Sequence, residues 1–491
     1  MSRSFPTAES STAGFSTAGF STADDATRAY VQAPEPADSA GADSLPRLLR
    51  GVPAAGDVLD IERHLDVHGE LPHERKRKRR SASELIEQVE RAGLRGRGGA
   101  GFPTGAKLRA VAAQRSRPIV VVNAAEGEPA SDKDRVLCQL APHLILDGAV
   151  ATAHALGAHE AIVGVCESSE GVETLARAIE ERGSADDVRI ELATVPGGYV
   201  AGQESALIAH LNGAPALPTF TPPMPFEQGV RRRPTMLSNA ETFANIALIA
   251  RHGPDWFRAL GTADQPGSAL VTLSGPLTAP AVYEIEFGTS LRALIDAAGG
   301  LRAPVRAVLL GGYAGAWVDG GLLADLALSD AQLARHGASL GSGVVTLLSA
   351  EACPVAETAR VTRWMAGESA GQCGPCVHGL GALAGTISEL AAGVAGHDAE
   401  QRVDTLAQLV RRRGACGHPD GAVRFALSAI EVFRDEFADH ARHGACERCS
   451  AAAELPLPEH PRAQPHMDSR PRARASSRRR SRTRSGERAV R

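Results

Sequence analysis

Two stretches of this sequence hold residue types at spacings that could do chemistry. The first, Gly93 to Lys107, reads GLRGRGGAGFPTGAK and contains Gly93, Gly96, Gly98, Gly99, Gly101 and Gly105. Glycine at that density would undermine a helix or strand, because each one loses backbone entropy and packs nothing. Bare main chain can instead approach a ligand closely and turn its N–H groups toward phosphate oxygens. Arg95, Arg97 and Lys107 add fixed positive charge, and a plain linker would favour Ser and Glu over a central Phe102-Pro103. The stretch is read as a loop that cradles a phosphate or nucleotide. Lysine usage agrees: of 53 Lys and Arg, only Lys76, Lys78, Lys107 and Lys133 are lysines. Lys107 and Lys133 therefore mark positions that use a compact ammonium where composition otherwise supplies Arg.

The second stretch is GESAGQCGPCVHGL, with Cys373 and Cys376 two residues apart after a glycine-rich bend, followed by Cys416 in RRRGACGHPDG. This spacing lets two thiolates converge on one metal centre while a third arrives from a helical hairpin. Four ligands are usual for a [4Fe–4S] cluster or structural zinc; Ser369, Cys353, Cys446 and Cys449 are the candidates for the fourth. In DHARHGACERC, His440, His443, Cys446 and Cys449 recur every three residues. They read equally as a zinc site of their own or as a solvated helix end with two idle thiols. Cys138 and Cys166 read as core residues.

The elements that must position these groups follow from periodicity and composition. At 491 residues the chain is long enough for two to four domains. No apolar run nears the ~20 residues of a membrane span, and no signal pattern opens the chain, so the expected setting is cytoplasmic. Residues 1–45, with STAGF repeated, read as disordered, and 46–80 as a linker with short structure and the basic run Arg75–Arg80. Residues 81–265 read as an α/β domain, 266–345 as a small β-grasp-like domain, 346–449 as a helical domain and 450–491 as a disordered Arg/Ser-rich tail. That tail from His466 carries +8, leaving −12 on the rest; neither it nor the basic run is read as a specific nucleic-acid site. Gly96, Gly98 and Gly101 fit G-x-G-x-x-G, yet a helix over Ser81–Leu94 precedes them where a dinucleotide fingerprint needs a strand. An ordinary Rossmann site is therefore disfavoured.

Together, GLRGRGGAGFPTGAK, NAAEGEP, GGYVAGQESAL, RPTMLSNAET and ESAGQCGPC resemble the NADH-oxidising flavoprotein subunit of respiratory complex I, the NADH:quinone oxidoreductase, with relatives in NAD-linked hydrogenases. The resemblance spans roughly Ser81 to His440. It implies an FMN-binding α/β domain, a ubiquitin-like β-grasp domain and a helical bundle with a [4Fe–4S] cluster. Gly96, Arg97, Gly98, Gly101, Phe102 and Lys107 would embrace FMN phosphate and NAD(H). Asn123, Glu126, Tyr199, Gly202, Glu204, Asn239 and Thr242 would line the flavin, and Glu128 would approach the dinucleotide. Cys373, Cys376 and Cys416 would hold the cluster. Hydride would pass to flavin and single electrons onward to a redox protein or subunit, ferredoxin-like or complex I-like, with the chain cytoplasmic or peripheral to a membrane complex.

Departures from the family pattern fall at chemically telling positions. Ala125 replaces Asp and Gln203 replaces Glu, removing two negative charges and favouring the reduced, anionic flavin. Leu108, Ala110 and Met224 reduce the aromatic surface for the dinucleotide. Ala370 replaces the first cluster cysteine, leaving open a [3Fe–4S] cluster, a [4Fe–4S] cluster with an exchangeable iron, one completed by a distant ligand, or none. The other reading is a non-catalytic iron–sulfur or assembly subunit that keeps the fold without NADH turnover.

Overall fold

In β1 (Ile119–Ala124) and β2 (Glu160–Cys166) apolar residues run on almost without alternation, as in strands covered on both faces. The computed structural model describes residues 44–53, 56–72, 81–183, 187–396 and 398–458 and buries both strands. They join β3 (Arg189–Val195) and β4 (Thr235–Asn239) in an all-parallel sheet of order β3-β2-β1-β4. Val120 and Val122 share a core with the helices Ser81–Ala92, Pro142–Leu156 and Ala240–Arg258, while Ile119 and Val121 pack toward Glu204–Leu211. Each fully buried valine is worth roughly 1.5–3 kcal/mol, so β1 anchors both layers.

This topology also fixes where a ligand can sit. From β1 the chain builds β2 and β3 on one side, then returns to place β4 on the other. Strand order therefore reverses between β1 and β4, with Asn123 beside Asn239 at their carboxyl ends. Open parallel sheets bind ligands in that crevice. The glycine-rich stretch lies between the helices Ser81–Ala92 and Thr104–Ala112, so a helix precedes it, as the sequence indicates.

Beyond Gly267 lies a second sheet: β5 (Ser268–Ser274), β6 (Ala281–Glu286), β7 (Val305–Leu310), β8 (Ala316–Asp319) and β9 (Val344–Ser349). Its order is β6-β5-β9-β7-β8, parallel only between β5 and β9. The helix Leu291–Ala297, capped by Ser290, connects β6 to β7. Helices Pro354–Gly367, Gly381–Ala391, Ala399–Val410, His418–Val432 and Arg434–His443 then gather around Trp364, Phe425, Phe433 and Phe437. Tyr313 and Trp317 from the second sheet enter the same core.

The flanking segments are more integrated than their composition suggests. Leu48, Leu49 and Leu59 are buried, and the helix Ile61–His68 docks through His64, whose ring lies 2.7 Å from Asp147. Burial alone would raise the Asp147 carboxyl, but His64, Arg182 and Arg251 hold it well below the usual carboxylate range. At the other end, residues 450–458 are pinned and not a loose tail: Leu455 is buried, and Glu454 accepts from the backbone of Ser349 at 2.9 Å. The STAGF repeats, the Arg75–Arg80 run and the tail from residue 459 lie outside the described residues. Among the described residues no single helix is long and apolar enough to cross a membrane.

Helices Pro142–Leu156 and Ala240–Arg258 approach until a Cβ on Gly148 would sit 1.8 Å from the carbonyl oxygen of Phe243. Alanine gains about 1 kcal/mol in helix propensity over glycine, but overpacking costs about 1–3 kcal/mol, and a backbone carbonyl has no rotamer to escape to. Gly148→Ala is therefore expected to lower the thermal midpoint. Gly385→Ala, at a helical glycine with open space around it, is expected to leave it unchanged or raise it; thermal denaturation of the two variants checks the contrast.

Candidate functional site

Three loops converge over the carboxyl ends of β1 and β4. The glycine-rich loop folds back on itself, Gly96 N–H donating to the carbonyl of Phe102 at 2.9 Å. Gly99 and Gly101 take positive φ of 100° and 60°. Its middle passes the start of the helix Ala240–Arg258, where a Cβ on Gly98 would lie 3.3 Å from that of Asn239. Among the described residues the amides of Gly98, Gly99 and Gly101 have no protein acceptor. Unspent amides beside a helix N-terminus suit a phosphate, and Phe102 stands 54% exposed at the loop's end. This donor set fits the phosphate end of FMN.

The acidic loop after β1 and the second glycine loop after β3 interlock through main chain. A Cβ on Gly202 would come 2.3 Å from the carbonyl oxygen of Ala125, and one on Gly127 would come 2.8 Å from that of Gly198. Asn123 Nδ2 donates to the Gly202 carbonyl at 2.7 Å. Gln203 is turned inward as a helix cap, its Oε1 accepting from the amides of Ser205 and Ala206. Lys107 Nζ lies 2.9 Å from Glu204 Oε1 and 3.0 Å from the carbonyl of Leu237.

Two residues expected at the flavin are committed to holding the loop. Thr242 is fully buried, and its Oγ1 accepts from the Arg97 amide at 2.9 Å. The Arg97 guanidinium is buried against the Phe287 ring and donates to the Ser268 carbonyl on β5 at 2.9 Å. The sequence suggests Arg97 as a charge for the ligand; its contacts instead tie the loop to the second sheet.

Lys133, noted for its rarity but not assigned to the site, is central. Its ammonium lies 2.7 Å from Asp134, 3.1 Å from Glu241 and 3.2 Å from Asn239 Oδ1. Burial opposes its charge, but Asp134, Glu241 and Glu126 outweigh burial and raise its pKa. Lys133 and Glu241 also line a narrow cleft beneath the glycine loop, with Asp330 and Gly341 from the second-sheet side. Burial and then the Asp134 charge push the Glu126 carboxyl up; it accepts from Ser131 Oγ and the amides of Asp134 and Arg135.

Glu128 bridges to the second sheet, accepting from the Tyr313 amide at 2.8 Å and the Ala130 amide at 3.3 Å. Desolvation pushes its carboxyl up to about 7 against these bonds and one from the Tyr199 hydroxyl. The Tyr199 ring packs 5.4 Å from both Trp364 and His418. The next residue, Val200, lines a small cavity together with Cys373, Cys376, Cys416, Ala370 and His418. Burial, then Cys373, pushes the Cys376 thiol up to about 12, and burial raises Cys416. Three thiols fit as ligands of an iron–sulfur cluster; Ala370 offers no donor, while Ser369 stands beside Cys376. Cys353, Cys446 and Cys449 are drawn elsewhere, into a group with His440, which leaves no distant thiol among them to complete the cluster.

Residues 89–248 match the family model described as the Nuo51 FMN-binding domain, and residues 356–440 match the NADH-ubiquinone oxidoreductase-F iron-sulfur binding region. The second NADH-quinone oxidoreductase F subunit of Rhizobium meliloti is 32% identical over 379 residues, covering 74% of this chain and 90% of that protein. The NADH-quinone oxidoreductase F subunit of Escherichia coli K12 is 33% identical, covering 73% and 84% respectively. Among solved structures, a crystal structure of an NAD+-reducing [NiFe]-hydrogenase in the air-oxidized state superposes with a TM-score of 0.68 at 34% identity. The match takes in 72% of this chain and 62% of the hydrogenase chain. The chain belongs to the F-subunit family of the NADH-quinone oxidoreductases.

Proposed function

We propose that the protein passes electrons from a reduced nicotinamide nucleotide, through FMN, to an iron–sulfur cluster and on to a separate redox subunit. One observation carries this reading: consecutive residues serve two sites, Tyr199 standing beside the Glu128 carboxyl and Val200 lining the three-cysteine cavity. A flavin at the end of β1 and a cluster among these thiols would be separated by little more than one turn of the second glycine loop. Bound FMN converts a two-electron hydride into single electrons, and the cluster carries these away.

The residues of this chain would do the rest by binding and orienting. Amides of Gly98, Gly99 and Gly101, with Gly96 shaping the bend, would take the flavin phosphate; Asn123, Glu126, Gly202 and Asn239 would line the ring system. Lys107 would face the ligand only as half of its pair with Glu204. Phe102 would offer an exposed ring to the nicotinamide nucleotide, and Glu128 would stand beside it, its carboxyl able to hold a proton near neutrality. Cys373, Cys376 and Cys416 would hold the cluster, and Ala370 would supply no fourth thiolate.

The domain division inferred from sequence serves this reading: 81–265 for flavin and nucleotide, 266–345 as a β-grasp unit and 346–449 as a helical cluster domain. The strand order β6-β5-β9-β7-β8 with one intervening helix supports the β-grasp reading. The relatives are named as subunits or belong to a hydrogenase, so the electron acceptor would be another redox subunit, ferredoxin-like or complex I-like. A cytoplasmic position, peripheral to a membrane complex, suits such an assembly.

Anaerobically purified protein is expected to release FMN on acid treatment and to reduce a dye with NADH. Iron without flavin or turnover would favour the competing non-catalytic reading, to which Ala125 and Ala370 lend weight. The missing fourth thiolate predicts a gain of function: Ala370→Cys is expected to retain iron through aerobic gel filtration better than the parent, measured as iron per chain. Glu128 makes a prediction in pH. Its native carboxyl, at about 7 against an ordinary 4.5, holds a proton that the unfolded chain has already released across that window. Its contribution is thus present below about pH 4.5 and lost as pH rises to about 7. Thermal midpoints of Glu128→Gln and parent, scanned across that range, are expected to diverge in favour of the variant as pH rises.

A further inference from the structure

Cys353, His440, Cys446 and Cys449 come from three places in the chain, yet their ligand atoms all lie within 4.8 Å of one another. Cys353 is the N-cap of the helix Pro354–Gly367. His440 is in the last turn of Arg434–His443; Cys446 is the N-cap of the short turn Glu447–Ser450 that follows, and Cys449 lies within it. His440 is buried, with its Nε2 directed at the sulfurs, 3.5 Å from Cys353 and 3.8 Å from Cys449. The Cys449 and Cys353 sulfurs are 3.4 Å apart, and those of Cys446 and Cys449 are 3.7 Å apart. His443, which shares the three-residue spacing, is exposed and takes no part.

We infer that these four residues form a second metal centre, a mononuclear tetrahedral Cys3His site for Zn2+, separate from the Cys373/Cys376/Cys416 cavity. The distances decide the nuclearity. A tetrahedral ion about 2.3 Å from each thiolate sets the sulfurs about 3.8 Å apart and a histidine nitrogen slightly nearer. The observed separations of 3.4–3.8 Å fall on that figure with little movement. A multi-iron cluster would need its thiolates spread over several metal ions, and this group is too tight. Three soft thiolates and one imidazole at tetrahedral spacing select Zn2+ among available divalent ions. Loading requires three thiols to release their protons as three Zn–S bonds and one Zn–N bond form, with no change of oxidation state.

The site would act as a clasp. It joins the start of the helix leading to the Cys373–Cys376 loop to the segment leaving the last helix. That segment continues to Glu454, whose amide donates to Glu357 at 3.0 Å, and to Pro456, whose carbonyl accepts the Tyr313 hydroxyl. Tyr313 in turn gives its amide to Glu128. Metal at the clasp would thus steady the far wall of the flavin site without carrying electrons, and this inference stands independently of the redox reading.

Elemental analysis of the full-length chain, purified without oxygen or chelator, is expected to find one zinc per chain besides its iron. Co2+ supplied during expression is expected to take the same place with the intense visible bands of a tetrahedral thiolate site. Cys449→Ser is expected to lower zinc by about tenfold or more while iron is retained, and Cys376→Ser to do the reverse. Should Cys449→Ser prove insoluble, His440→Cys, which keeps four donors, is expected to retain zinc. Absence of zinc from the parent, a disulfide among Cys353, Cys446 and Cys449 under these conditions, or loss of iron in place of zinc from Cys449→Ser would each overturn the assignment.

Discussion

Main chain pressed against main chain is the constraint on which the site rests. At Gly202 against Ala125, and Gly127 against Gly198, two loops meet with no room for a side chain. Loops without side chains at their contacts cannot be stabilised by apolar burial, so their register must come from hydrogen bonds and from the elements beneath. The Asn123 amide to Gly202 supplies the first, and the paired strand ends of β1 and β4 supply the second. The same loops carry Tyr199 and Glu128, which is why the flavin and cluster halves cannot be positioned separately.

Most charge in this region is handled by pairing, the Glu128 carboxyl being the exception. Lys107 is matched to Glu204, and Lys133 to Asp134 and Glu241. A buried ammonium without partners would shed its proton, and the buried carboxylates would gain theirs. Paired, they hold Asn239 and the helix start in fixed orientation. The donors left over are neutral backbone amides, which can accept a dianionic phosphate without first breaking an ion pair.

Much of this is legible in sequence because it is local. Glycine density marks a bare loop, the apolar run Ile119–Val122 marks a central strand, and Cys373 with Cys376 marks a convergent pair. Lysine scarcity points to Lys133 without any knowledge of its partners. What stays hidden depends on distant partners. Nothing near Arg97 reveals that its guanidinium belongs to Ser268, or near Thr242 that it is buried beneath the loop. Cys353 lies 96 residues from Cys449, and only the folded helices bring them together. Gln203 reads as a lost charge in the sequence, but its carbonyl completes a helix cap. The segment 450–458 is short and runs straight into the Arg-rich tail, so the sequence groups the two; Leu455 and the acceptor role of Glu454 emerge only against β9 and its neighbours.

The bond from the Tyr313 hydroxyl to the carbonyl of Pro456 reaches across 143 residues. A ribosome delivers Pro456 long after Tyr313, so the wall behind Glu128 stays unlatched throughout most of synthesis. The contact thus makes a wall built from the middle of the chain depend on a residue made much later.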